Sequence, residues 1–189
     1  IDGSATTVHA LDWPEVDDNL RDADLEADMA VLRDVEEAAA NARQRGGRKL
    51  RWPVSRVVVE TDDEAVAGAV ETLADLLSER VNTRQIEVVD AFDELIEYAD
   101  PQMGEIGPAF GGDAQDVMNA VEGAPREEVE AGIEVDGETV DLSDEMVEYR
   151  TEPPDGVTGT DFEGGTVYVD TTLTDELEAE GYARDVIRR

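Results

Sequence analysis

Apolar residues along this chain recur at two different periods, and the switches between them predict an order of elements. From about Asp22, the residues Leu25, Met29, Leu32, Val35, Ala39 and Ala42 fall three and four apart, which lays them on one helical face. Arg43 and Arg45 sit in the last turn, where cations suit the helix dipole, and Gly46-Gly47 ends the run. In "RWPVSRVVVE" Pro53 opens a β-branched strand over Val54 to Glu60. "DDEAVAGAVETLADLLSERV" returns to helical spacing through Val66, Val70, Leu73, Leu77 and Val81, and "RQIEVVD" is a second strand. Strand, helix and strand in this order predict a parallel βαβ pair.

The second half is more broken. "FDELIEYA" predicts a short helix, and the glycine-rich run "PQMGEIGPAFGGDAQDVMNAVEG" leads through an N-cap at Asp113 into another, carrying Ala114, Val117, Met118 and Val121. Ile133–Val135 and Thr139–Leu142 flank Asp136-Gly137, a two-residue hairpin signal. Met146–Arg150 and Thr166–Asp170 predict two more strands around a Pro/Gly loop at 153–165. The chain closes on a helix capped by Thr174, with Ala179, Tyr182, Ala183, Val186 and Ile187 as its apolar stripe. Residues 1 to about 21 are irregular, with a turn at Asp12–Pro14. The expected class is α+β: a helical N-terminal arm over 1–52, then a small α/β-type domain with a mixed sheet over 53–189.

Composition changes this picture in one respect. Asp and Glu number 49 against 15 Lys and Arg, only one of them Lys, for a net charge of −34 over 189 residues. The acid is spread over helices and strands rather than gathered in a tail, as in a salt-adapted proteome. At molar salt the Debye length is about 3 Å, so this charge speaks to the solvent more than to the partner. The chain opens with Ile1 and is expected to be a piece of a longer protein. With no Cys and a single His9, disulfides, the usual zinc sites, Cys nucleophiles and most His-based catalysis are excluded, and neither a catalytic nor a metal site is expected.

Candidate chemistry is sparse. "GPAFGGDA" has the glycines of a phosphate loop but puts Asp113 where Lys would be needed, so it reads as a structural turn. Carboxylate pairs arise by chance when a quarter of residues are acidic, and His9, beside Trp13 and Pro14, is a packing residue. The segment 40–56, "ANARQRGGRKLRWPVSR", stands apart because it holds six of the fifteen positive charges. Arg43, Arg45, Arg48, Lys49 and Arg51 offer donors to phosphate oxygens, and Trp52 offers a ring for stacking. Equally, those arginines could pair with the surrounding acid and fasten the arm to the domain.

Four separated segments, "TTVHALDWPEVD", "ADMAVLRDVEEAAANARQRGGRKLRWPVSRVVV", "GEIGPAFGGDAQDV" and "VYVDTTLTDELEAEGYARDVIRR", resemble in this order the C-terminal region of archaeal and eukaryotic-type isoleucyl-tRNA synthetases. The resemblance implies a parent that ligates isoleucine to its tRNA with ATP and Mg in the cytoplasm. The "HIGH" and "KMSKS" signatures of that chemistry do not occur here, so the catalytic and editing domains are expected upstream and no cofactor is expected in this segment. It implies that residues 1–52 end the anticodon-binding helices and that tRNA(Ile) is the partner, held by Arg43, Arg45, Arg48, Lys49, Arg51 and Trp52. The alternative is an acidic structural or protein-interaction module that docks on the synthetase body without touching tRNA.

Carboxylates this dense repel one another when unscreened. The melting temperature, followed by circular dichroism, is therefore expected to rise as KCl increases; a flat or falling profile would remove the case for salt adaptation.

Overall fold

A computed structural model describes residues 17–18 and 21–187. The turn at Asp12–Pro14 and His9 lie outside the described residues. Asp22 caps the first helix, α1 (Ala23–Arg45), its carboxylate accepting from Leu25 N at 3.0 Å. The Gly-Gly stop works as a paired C-terminal cap: Gly47 takes φ +70°, its N–H donates to Gln44 O, and Arg48 N–H donates to Arg43 O. Leu32, Val35, Ala39 and Ala42 of the expected stripe are buried, whereas Leu25 projects past the core.

The sheet that α1 covers is mixed. Strands β1 (Val54–Glu60) and β2 (Thr83–Val89) run parallel, joined through helices α2 (Glu64–Thr72) and α3 (Ala74–Val81). The single helix expected there breaks at Leu73, where φ is −107°, and Val66, Ala69, Val70, Leu77 and Val81 remain buried across the break. Strands β7 (Val157–Phe162) and β8 (Gly165–Asp170) form an antiparallel hairpin that docks on β1, giving the order β2-β1-β8-β7. One core joins Leu32, Val35 and Ala39 of α1 to Val57 and Val59 of β1, Leu77 of α3, and Val167 and Val169 of β8. Residues on both sides of position 52 thus fill the same core. On the opposite face Phe92 stacks on Tyr168 at 4.3 Å, and Arg56 clamps the nearby Glu94 carboxylate through two hydrogen bonds of 2.6 and 2.8 Å.

Between β2 and β7 the chain builds a second lobe with its own core of Ala99, Ile106, Val117, Val121, Ile133 and Val147. It contains β3 (Ile96–Pro101) paired antiparallel with β6 (Val147–Glu152), helices α4 (Met103–Phe110), α5 (Ala114–Val121) and α6 (Arg126–Ala131), and the expected hairpin of β4 (Ile133–Val135) and β5 (Glu138–Val140). Three local expectations are corrected here. "FDELIEYA" is a turn and then β3, because Ile96–Pro101 pairs with a strand some fifty residues away. The glycine-rich run is helical over α4, because Ile106 is fully buried, and Asp113 falls in a 3-10 turn without a side-chain cap bond. The supposed loop at 153–165 contains β7, whose Gly159 pairs with Tyr168 and leaves room for its ring.

The last helix, α7 (Asp175–Ile187), receives its cap, Leu177 N donating to Thr174 Oγ1 at 3.3 Å. Its packing face is another correction: Leu177 and Gly181 are buried, while Tyr182, Val186 and Ile187 of the expected stripe are 56, 69 and 85% exposed. The helix leans on Trp52, which lies so close to Gly181 that a Cβ there would stand 2.6 Å from the indole.

Arg43 is the other fastening. Its side chain is fully buried and meets no carboxylate among the described residues. Nη1 donates to Val81 O and Asn82 O at the end of α3, and Nη2 to Lys49 O, Leu50 O and Trp52 O in the turn before β1. Burial pulls its pKa down to about 10, which leaves it charged at neutral pH.

Two substitutions test these contacts by urea unfolding. Arg43→Met leaves the carbonyls without their donor and is expected to lower stability by about 3–5 kcal/mol; Arg43→Lys should recover only part of that, lacking the planar fork. Gly181→Ala in an ordinary helix adds about 1 kcal/mol, but the clash with Trp52 should reverse the sign to a loss of about 1–3 kcal/mol. A more stable Gly181→Ala protein would refute the Trp52 contact.

Candidate nucleic-acid interface

The paired cap at the end of α1 turns the chain sharply, and Trp52 N–H donates to Lys49 O at 3.0 Å to close a second turn before β1. With Arg43 tying this turn to α3 from beneath, residues 47–52 are held from both sides.

The six residues expected at the site part company here. Arg43 is withdrawn from the surface, so the expected phosphate contact is corrected: its fork is taken up by backbone carbonyls. Trp52 is half-buried, with Gly181 against its ring, Tyr182 edge-on at 5.1 Å, and Nε1 donating to Asp185 at 3.3 Å. Its ring serves α7 rather than standing open as a stacking platform. Arg51 is exposed, with Asp185 at 3.9 Å. Arg45 is exposed and donates to Gly159 O at 3.2 Å. Arg48 donates through Nε to Thr171 O at 2.5 Å, which positions the guanidinium while its two terminal amino groups keep no partner among the described residues. Lys49 is exposed, and its ammonium has no partner among the described residues.

The remaining cations provide the contrast. Among the described residues eight arginines lie within 4 Å of a carboxylate: Arg21, Arg51, Arg56, Arg80, Arg84, Arg126, Arg150 and Arg184. Arg126 shows the pattern, bonding Glu130 at 2.7 Å and Glu97 at 3.0 Å over the Tyr149 ring. Its pKa is raised by those bonds, while the Arg56 guanidinium holds the Glu94 carboxyl below its ordinary value. The described cations without a carboxylate partner are Arg33, Arg43, Arg45, Arg48 and Lys49, all on α1 or the turn behind it. Arg33 was absent from the expected set. It is exposed on α1 about 18 Å from Arg45 along the axis, and its signal was a lone arginine in a run of acids.

Apart from buried Arg43, these groups supply donors and positive charge at one end and along one side of a helix. Guanidinium and ammonium groups of this kind suit the oxygens of an anion. No model of a protein family matches the chain. Individual proteins do. The isoleucine–tRNA ligase of Haloquadratum walsbyi is 60% identical over the whole chain, which spans 18% of that protein. That of Haloarcula marismortui is 52% identical, again over the whole chain and 19% of the relative. That of Methanosarcina acetivorans is 43% identical over 97% of the chain and 18% of the relative. The chain thus spans about a fifth of the length of the curated relatives it matches. Along its full length it is akin to the C-terminal region of archaeal isoleucine–tRNA ligases.

Proposed function

We propose that this chain is the tRNA-holding segment of an isoleucine–tRNA ligase. In this reading the joining of isoleucine to tRNA, with its ATP and Mg, and the editing of mischarged tRNA belong to other domains of a longer cytoplasmic polypeptide. The observation that carries the reading is the distribution of cations. In a chain of net charge −34, the accessible described cations without a carboxylate partner, Arg33, Arg45, Arg48 and Lys49, gather on α1 and its following turn. Arg and Lys on a nucleic-acid surface position the phosphate backbone without reading sequence. Arg48 is suited to this, since Thr171 O fixes the guanidinium through Nε and its two terminal amino groups have no partner among the described residues.

A second reading has its own observation. The exposed apolar stripe of α7, with Tyr182, Val186 and Ile187, fits a module that docks on the body of the synthetase.

Filter-binding titration of isoleucine tRNA against the full-length ligase, over a range of KCl, separates them. Removing one phosphate-bound cation should flatten the plot of log affinity against log salt by roughly 0.7–0.9. Arg48→Ala with Lys49→Ala should therefore weaken binding and reduce the slope by about 1.4–1.8. An unchanged slope and affinity would leave docking as the function of the segment.

A further inference from the structure

Several surface clefts of the described residues carry carboxylates in their lining: Glu79 in one, Glu152 and Asp161 in another, Glu97 and Glu127 in a third, and Asp34 with Glu163 in a fourth. A further cleft, of about 390 Å³, is lined by no acid. It opens between the last turns of α1 and the turn that follows, so it adjoins the unpartnered cations.

Its walls carry three kinds of chemistry. Arg48 and Lys49 form one rim: the Lys49 ammonium and the two terminal amino groups of Arg48, whose Nε is held by Thr171 O, have no partner among the described residues. Asn41 and Gln44 stand three residues apart on α1, which puts them on one face. Both are exposed, and neither amide has a hydrogen-bond partner among the described residues. Each amide presents a donor beside an acceptor, the pair that matches the edge of a nucleobase. Leu50, 58% exposed, supplies an apolar wall, and nothing lies within 4 Å of the space above Gly47. Phosphates of a duplex would need only the rim. Amides, an apolar wall and open room beside that rim suit a base that has left its stack, the form in which RNA sequence is read.

We infer that this cleft takes a single unpaired ribonucleotide. Arg48 and Lys49 hold its phosphate, Asn41 and Gln44 bond the base edge, and Leu50 covers the base face. The inference rests on the tRNA-holding reading and adds to it a place where sequence is discriminated.

The test uses the full-length ligase and fluorescein-labelled RNA: the pentanucleotides A5, C5, G5 and U5, and a ten-base-pair hairpin, followed by anisotropy at several KCl concentrations. The wild type should prefer one pentanucleotide and bind the hairpin more weakly than that one. Asn41→Ala with Gln44→Ala should cost that preferred sequence about tenfold and level the four affinities, with the salt slope unchanged. Gln44→Glu, which keeps the shape and adds a carboxylate, should weaken all four. Lys49→Ala should weaken all four alike and flatten the slope. Two results overturn the inference: amide variants that bind every probe as the wild type does, or a hairpin bound as tightly as the best single strand. If Arg48→Ala and Lys49→Ala are also silent, the phosphate reading falls too; if they alone weaken binding, only the nucleotide cleft is lost.

Discussion

A single buried guanidinium organises the meeting point of three elements. Arg43 reaches from the last turn of α1 to the end of α3 and to the turn that enters β1, and every partner is a backbone carbonyl. Taking a charge out of water is costly, and here the opposing gain comes from amide dipoles instead of a carboxylate. Val81 and Asn82 lie at a helix C-terminus, where carbonyls are free and the dipole favours a cation. The Nε–H remains buried without a partner. Because Nη2 collects three carbonyls from residues 49–52, the turn has little freedom to relax, and Lys49, Leu50 and Arg51 stand exposed on a fixed frame. The exposure of Lys49 is thus a consequence of Arg43 pointing inward.

The positive charges of the described residues therefore fall into three uses. Arg43 is structural. Eight arginines neutralise neighbouring acid, most of them at the surface, where a single pair contributes roughly 0–1 kcal/mol. In a chain this acidic their main effect is to dilute like-charge repulsion, and Arg56 and Arg126 also lie over the rings of Phe92 and Tyr149. The few that remain are unpaired and local. Sequence position alone could not separate these uses, since Arg43 and Arg45 are two residues apart and differ completely in exposure.

What could be read from the sequence was set by local rules. The α1 stripe, its glycine stop and the Asp136-Gly137 hairpin depend on residues within a few positions of one another, and the parallel strand pair on the helical crossover between neighbouring strands. The failures share a cause. β3 and β7 exist because of partners elsewhere in the chain, and α4 because Ile106 finds a core that overrides its glycines and Pro108. The α7 stripe has good helical spacing yet faces outward, because Trp52 needs the flat surface that only Gly181 leaves. In the site, the basic segment was visible as a cluster of charge. The burial of Arg43, the covering of Trp52 and the exposure of Arg33 were not, since each is decided by an element distant in sequence.

The lobe inserted between β2 and β7 has a consequence for how the chain reaches this structure. β8 must join β1 across more than a hundred intervening residues, as Val57 pairs with Val169. Contacts of such long sequence separation are slow to close. A lobe with its own core can collapse first and draw Ile96 and Glu152 together, turning a long loop into a short effective one. Folding order would then run from the lobe inward, with the central sheet, and the α1 end that rests on it, completed last.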